Sequence, residues 1–471
     1  MKNFQYILAV VLSLMLTLSS CKNYLDVNPK SSVAEDQLFN SEVGFQQALD
    51  GVYSIFASPS LFGDHLSMGF TSALAQNYAI ISTMPLYESY RLNYSSAEVV
   101  GIGNQIWSTG YNAIAGANKV IQNTEQKRNI LSDNGYRRIR GEALALRAYM
   151  HFELLRLFGP EYNSGLNKKA IPYKTSVDQF TVLPSTTQDV VIKVLADLTE
   201  AEQLLMNIDP ILTGQTNRNN KLNYYAIKAL QARVNLYAGD KAKASAAAKT
   251  VVDSGKFPFV TNAAATNSDP RVKDRIYVTE QIFGLRVTNL KNWADPGYFR
   301  GASTMRRTTS DYQVIYESTA SIDIRYSARI EADASNGNVS GIVFPSKFWQ
   351  TYPGTALTDA RLDQWVPMLR LSEMYYILAE CAATPAEGLA YLNMVRTNRN
   401  LPLLPTTYNQ TQLNTEITKE YQKEFYAEGQ LFFYYKRKNT LRMQFMTANL
   451  SLSQYVLPIP DSELEFNPNY N

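Results

Sequence analysis

Tyr224-Tyr225-Ala226-Ile227-Lys228-Ala229-Leu230-Gln231-Ala232-Arg233-Val234-Asn235-Leu236-Tyr237 is followed by a break at Gly239-Asp240 and then by Lys241 to Val252, ending at Gly255. Apolar and small residues recur three and four positions apart on both sides of the break, which predicts two helices joined by a tight turn. Ala229, Ala232, Ala242, Ala246 and Ala247 are small at positions where two antiparallel helices would approach closely. A second pair is predicted from Leu369 to Ala382 and from Pro385 to Thr397, with Pro385 suited to a first helical turn.

A helix, a turn, a helix and a following Pro258 is how a tetratricopeptide-like (TPR-like) unit reads, and several such pairs imply a solenoid-like scaffold. Outward from these pairs, Ser41 opens a helix to about Phe56. Ile106–Gln122, Arg137–Phe158, Asp189–Met206 and Leu413–Glu428 also carry helical spacing, and Gly159-Pro160 ends the clearest of them. Between 57 and 103 the pattern breaks down. From 257 to 362 it gives way to Gly, Asn, Ser, Thr and aromatic residues, too long a stretch for an idle connection. The predicted class is mainly α: TPR-like helix pairs form a scaffold over 41–256 and 363–435. An irregular, loop-rich insertion at 257–362 contains a few short strands, for instance Gln281–Val287.

The 471 residues hold 45 Lys and Arg against 42 Asp and Glu, a formal charge of +3 that argues against a nucleic-acid binder. Two histidines and two cysteines leave little material for a metal cluster or a disulfide framework, so neither a metal nor a cofactor is expected. The excess is aromatic, with 31 Tyr, 20 Phe and 4 Trp. Because a tyrosine hydroxyl needs water or a partner, many of these rings are expected at a wet surface.

Behind Lys2, residues 6–18 form an apolar stretch too short to span a bilayer, which reads as a signal peptide over 1–20. It ends in Leu18-Ser19-Ser20-Cys21, the pattern of a bacterial lipobox, so Cys21 is expected to carry lipid and to begin a tether over 21–40. Export also removes the cytosol's ATP and nicotinamide pools.

Several motifs in order resemble the SusD/RagB family of outer-membrane nutrient-binding lipoproteins. They are Cys21-Lys22-Asn23-Tyr24-Leu25-Asp26 with Pro29; Trp107, Tyr111 and Asn118; Gly141–Tyr149 with Leu157-Phe158-Gly159; Arg370–Met374 with Ala379-Glu380; Asn393–Arg396; and Leu457-Pro458-Ile459-Pro460 with Glu463 and Asn467-Pro468. The chain departs from the family where Tyr421 and Gln430 replace arginines and Tyr434 replaces an acid, at positions that serve ion pairs. The resemblance implies one SusD-like domain over 41–471, lipid-anchored to the outer membrane and facing the exterior. It also implies a lid on a SusC-type TonB-dependent transporter, an oligosaccharide or, in a minority, an oligopeptide as ligand, and no catalysed reaction.

Sugar rings present C–H faces and hydroxyl rims, which call for flat aromatic faces beside short polar groups. Two segments have that make-up: Tyr87, Tyr90, Arg91 and Tyr94 in one, and Trp293, Tyr298, Phe299 and Arg300 around a Pro-Gly turn expected to hold the rings outward. Phe348, Trp349 and Tyr352 form a third candidate, whereas Trp107 and Tyr111 read as core. Either arginine suits sugar hydroxyls or a peptide carboxylate. Enzymatic patterns are poor. Glu424 and Glu428 share a helix face rather than two walls of a cleft, and neither His65 nor His151 has a nucleophile motif near it. The glycine of Asp333–Asn338 stands one place early for a calcium loop. Tyr435-Lys436-Arg437-Lys438 reads as a solvated basic patch.

Overall fold

The computed structural model describes residues 35–178, 181–214, 218–299, 305–331, 343–349 and 360–470. Cys21, Arg300, Tyr352 and the segment 333–338 lie outside them. Eleven longer helices make the scaffold: α1 (Glu42–Phe56), α2 (Ala97–Gln126), α3 (Asp133–Phe158), α4 (Thr187–Leu205), α5 (Tyr224–Tyr237), α6 (Lys241–Asp253), α7 (Thr309–Tyr316), α8 (Leu371–Cys381), α9 (Pro385–Thr397), α10 (Gln410–Glu424) and α11 (Gln430–Arg437). The decisive pair is helical as read. Asn223 caps α5 by accepting from the Ala226 N–H at 2.9 Å, and Asp240 caps α6 by accepting from Lys243 at 3.0 Å. Gly239 takes φ +77 in the turn, where a side chain would be strained.

Helices pack on one another in chain order with α7 left aside: α1 on α2, α2 on α3, α3 on α4, α4 on α5, α5 on α6, α6 on α8, α8 on α9 and α9 on α10. That succession is a helical solenoid. Its hydrophobic cluster extends from Phe39 to Leu457 and includes the fully buried Leu144, Leu146, Leu154 and Leu157 of α3. Sheet structure is sparse: β1 (Lys169–Pro172) pairs with β2 (Pro184–Thr186), β3 (Gln281–Arg286) with β6 (Trp365–Arg370), and β4 (Ile330–Glu331) with β5 (Phe344–Pro345), all antiparallel.

Four expectations are corrected. The helix expected from Ile106 starts at Ala97, because Ser96 accepts from the Val99 N–H at 3.3 Å and caps a first turn whose exposed residues hide its period. The helix expected from Leu369 begins at Leu371, since Trp365–Arg370 is the buried partner strand of β3. The helix expected to reach Glu428 stops at Glu424. Gly429 then takes φ +72, with the space for a Cβ filled by the Leu66 carbonyl oxygen at 2.1 Å, so the chain turns there before α11. The basic run is solvated only at its end, where Lys438 is exposed. Lys436 is buried and donates to the carbonyls of Arg156 and Gly159, both at 2.6 Å, while Arg437 pairs with Glu380. Burial without an acidic partner in contact pulls the Lys436 amine down to about 7.

The tyrosine excess is largely internal. Tyr78, Tyr149, Tyr376, Tyr435 and Tyr455 are fully buried, and each hydroxyl finds a partner inside, as Tyr78 does at the Met68 carbonyl (2.6 Å) and Tyr455 at that of Thr440 (2.7 Å). Where the family's ion pairs are missing, Tyr421 stacks on Tyr434 with ring centres 4.1 Å apart, and Gln430 accepts from Arg156 at 3.0 Å. His151 stacks on Tyr173 and accepts the Lys174 N–H at 3.0 Å, and burial pushes it down to about 3, so it is neutral.

The stretch 257–362 is held to α10 by buried charge. Glu424 accepts from Arg325 at 3.2 Å and from two nitrogens of Arg399 at 2.9 and 3.1 Å, and Arg370 also reaches it. Arg399 forms a two-pronged pair with Glu280, both bonds 2.7 Å, and Arg325 pairs with Asp323 and Glu420. Glu424 is enclosed by these cations, and Glu428 pairs with Arg370 at 2.8 Å and with Lys347.

Candidate ligand-binding site

After α1 the chain coils through 57–69 in overlapping turns, with Gly63 N–H bonded to the Ser58 carbonyl at 2.9 Å and Leu66 N–H to that of Leu61 at 2.8 Å. This loop forms a shelf that holds Trp293, and Gln76, further along the chain, holds Tyr90. From one side, the Trp293 indole N–H donates to the Gly63 carbonyl at 3.0 Å. From the other, Gln76 donates to the Tyr90 carbonyl at 2.8 Å, while its own carbonyl accepts Arg307 at 2.6 and 3.0 Å.

Tyr87–Tyr90 forms one helical turn, pinned on the start of α2 because Glu98 accepts the Ser89 N–H at 2.9 Å and its hydroxyl at 2.6 Å. Tyr87, Tyr90 and Tyr94 are half-buried, and Arg91 is exposed with its guanidinium 5.5 Å from the Tyr87 ring centre. The Glu88 carboxylate lies 3.8 Å from Arg91, so the cation keeps donor capacity toward solvent. Tyr94 donates to the Gln454 carbonyl, fixing its ring at the edge of the C-terminal segment.

The second segment differs from its reading. Trp293 is half-buried, but Tyr298 and Phe299 are buried, and so is Trp349, whose indole N–H donates to the Phe299 carbonyl. The Pro-Gly turn therefore points Tyr298 and Phe299 inward, because each has a partner inside: Tyr298 the Tyr78 ring at 5.9 Å, Phe299 the Phe348 ring at 5.5 Å. These three rings support the shelf from below and offer no face to a ligand. Trp107, as read, is core, edge-on to Phe158.

Two features went unread in the sequence. Asp64 and His65 sit in the shelf beneath Trp293, with His65 Nε2 facing the Gln105 side-chain oxygen of α2 at 3.3 Å. Beside Tyr94, the start of α2 and the C-terminal segment enclose a groove of about 750 Å³ lined by Val99, Val100, Phe158, Leu457, Ile459 and Asp461. The Leu-Pro-Ile-Pro run signals its wall, yet only the fold sets it against Val99 and Val100. Among the described residues no group of three or more His, Cys, Asp or Glu is placed to hold a metal ion.

Comparison with known proteins follows the same architecture. A family model described as starch-binding, associating with the outer membrane, matches residues 23–236, and the SusD family model matches residues 215–450. The chain is 23% identical to SusD-like protein P2 of Formosa agariphila over 97% of its own length and 96% of the relative's. SusD-like protein P38 of the same organism is 22% identical over 91% of this chain and 90% of that one. Among solved structures, a SusD-like carbohydrate binding protein from Bacteroides vulgatus superposes with a TM-score of 0.73 at 18% identity, covering 91% of this chain and 97% of that one. A SusD superfamily protein from Bacteroides thetaiotaomicron gives 0.71 at 24% identity, covering 91% and 98%.

Proposed function

The chain belongs to the SusD/RagB family, and from that premise we propose that it captures oligosaccharides at the outer surface of the outer membrane and delivers them as a lid to a SusC-type TonB-dependent transporter. Membership makes it a nutrient-binding protein of an outer-membrane-associated family. The observation that supports the sugar reading is the set of half-buried Tyr87, Tyr90 and Trp293 with exposed Arg91, Tyr90 held at Gln76 and Trp293 at Gly63 of the same stretch of chain. Ring faces beside a cation and short polar groups are what C–H faces and hydroxyl rims require. The relative whose name specifies carbohydrate binding supports the same reading. Capture and release require no bond to break, and the protein is expected to leave its ligand unchanged.

A glycan and peptide screen by calorimetry on the mature chain carrying Cys21→Ser tests the proposal. Binding to a glycan at roughly micromolar affinity without release of reducing ends is the expected result. Trp293→Ala combined with Tyr87→Ala is then expected to weaken that binding about 5- to 150-fold, since each stacked ring contributes ~0.5–1.5 kcal/mol. Unchanged affinity in the double variant overturns the site. The apolar groove beside Tyr94, with Asp461 its one charged lining residue, favours a second reading in which oligopeptides are the cargo. Exclusive binding of peptides in the screen would establish it.

A further inference from the structure

We propose that the cavity of about 240 Å³ between the middle of α2, residues 173–178 after β1 and the C-terminal segment is a second subsite, which holds one neutral sugar ring. Its floor is aromatic. The rings of Trp107 and Tyr111 meet there at 55° with centres 4.9 Å apart, and Phe158 stands edge-on to Trp107, also at 4.9 Å. Trp107 is 6% exposed, and it lines the cavity. The indoles of Trp293 and Trp349 donate to carbonyls, whereas the Trp107 indole N–H meets no acceptor among the described residues.

Buried bonds build the walls. Asn118, 2% exposed, accepts from the Arg147 guanidinium at 2.9 Å and donates to the Lys174 carbonyl at 3.1 Å, which fixes the chain after β1 against α2. The Tyr111 hydroxyl donates to the Pro172 carbonyl at 2.8 Å, so its ring is held and its oxygen retains acceptor capacity. From the C-terminal segment comes the half-buried Glu463, which accepts from Asn467 at 3.0 Å and keeps further lone pairs. Lys174 and Asp178 also line the cavity.

These groups select a class of ligand. An anion meets Glu463 and Asp178, a cation meets Lys174, and a bare hydrocarbon ring leaves the Trp107 N–H and the carboxylates without partners. A neutral ring of hydroxyls needs acceptors and donors at its rim and an aromatic face beneath it, and the cavity supplies all three. Its volume lies just below the range of about 300–1,000 Å³ that buries drug-sized molecules, so it suits one ring rather than a chain.

The subsite is separate from the shelf. Gln105 of α2 faces His65 in the shelf loop, and Trp107, two residues on, projects about 200° further round the helix, toward the opposite side. A ring at Trp107 and a ring at Trp293 therefore bind on different sides of α2. That the occupant belongs to the carried glycan rests on the sugar reading above, but the capture of a single ring does not.

Fluorine NMR tests this on the mature chain carrying Cys21→Ser and labelled with 5-fluorotryptophan. Phe variants of Trp293, Trp349 and Trp365 identify three of the four tryptophan resonances and leave the fourth to Trp107. Glucose, galactose, mannose and xylose are added singly, beside glucuronate, glucosamine and cyclohexanol. At least one neutral sugar is expected to move the Trp107 resonance, saturating at millimolar concentration, and to do so equally when Trp293→Ala and Tyr87→Ala disable the shelf. Glu463→Gln is expected to raise the midpoint about tenfold, since hydrogen bonds to a charged acceptor are the stronger ones. Should that variant fail to fold, Asp178→Asn, at an exposed position, takes its place. A Trp107 resonance that no neutral sugar moves up to about 0.5 M means that the cavity holds water alone, and it overturns the proposal. An equal response to glucuronate, glucosamine or cyclohexanol overturns it too, as does an unchanged midpoint in the carboxylate variant. A saturable Trp107 response beside a failed glycan screen leaves the subsite standing and removes the shelf, and a Trp293 response without one at Trp107 does the reverse.

Discussion

Replacing Glu424 by Gln is expected to destabilise the protein by about 3–5 kcal/mol, visible as a lower denaturant midpoint or as loss of soluble protein. Glu424 lies fully buried among Arg325, Arg370 and Arg399, and these guanidinium groups hold its carboxyl well below the ordinary range despite burial. A glutamine keeps the shape but halves the acceptor capacity and turns an N–H₂ group toward donors. Cations whose desolvation was offset by that anion are left with less counter-charge. Against a total stability of about 5–15 kcal/mol for a typical domain, the loss decides folding. Asp253→Asn, which breaks the exposed pair with Lys249, is the control and should leave the midpoint where it was.

The same network fixes the acid limit of the parent. Arg325 and its neighbours pull Glu420 down to about 2, so folding favours the ionised form. The stability this contributes is complete above the ordinary glutamate value of about 4.3 and is lost as pH falls toward about 2. A denaturation series over that interval should show a steep decline in the parent. Removing Glu424 should flatten it, because one of the carboxylates that must be protonated is gone.

What these charges join explains why much of the molecule could be read from sequence and some could not. The pair α5 and α6 was legible because its determinants are local: alanines at the contact, a capping Asn223 and Asp240, and Gly239 at the turn. The attachment of 257–362 is not local. Arg325 meets Glu420 from 95 positions away and Arg399 meets Glu280 from 119, and no periodicity marks such a meeting. Inside and outside were also ambiguous for tyrosine and lysine, whose apolar bodies end in a polar tip. Tyr298 and Lys436 turn inward because the Tyr78 ring and the carbonyls of Arg156 and Gly159 receive them. The aromatic segments were legible as a composition, but their attachments were not, since Gly63 and Trp293 lie 230 positions apart.

Cys21→Ser is expected to move the protein almost completely from the membrane fraction to the soluble fraction, measured by fractionation and by loss of radiolabelled palmitate. No described helix is long and apolar enough to cross a membrane, and the attachment proposed here is the lipid expected at Cys21. Each buried methylene contributes about 0.8 kcal/mol, and one acyl chain alone holds only marginally while two or more hold stably. Loss of every chain with one sulfur atom should therefore act as a switch rather than a graded weakening. The scaffold should be indifferent, because among the described residues its cluster starts at Phe39, well after Cys21. Equal unfolding midpoints for Cys21→Ser and the lipidated protein in detergent would establish that indifference. A variant that stayed with the membrane would transfer the anchoring role to a surface of the folded body, and the lidded-transporter reading would then have to locate that surface.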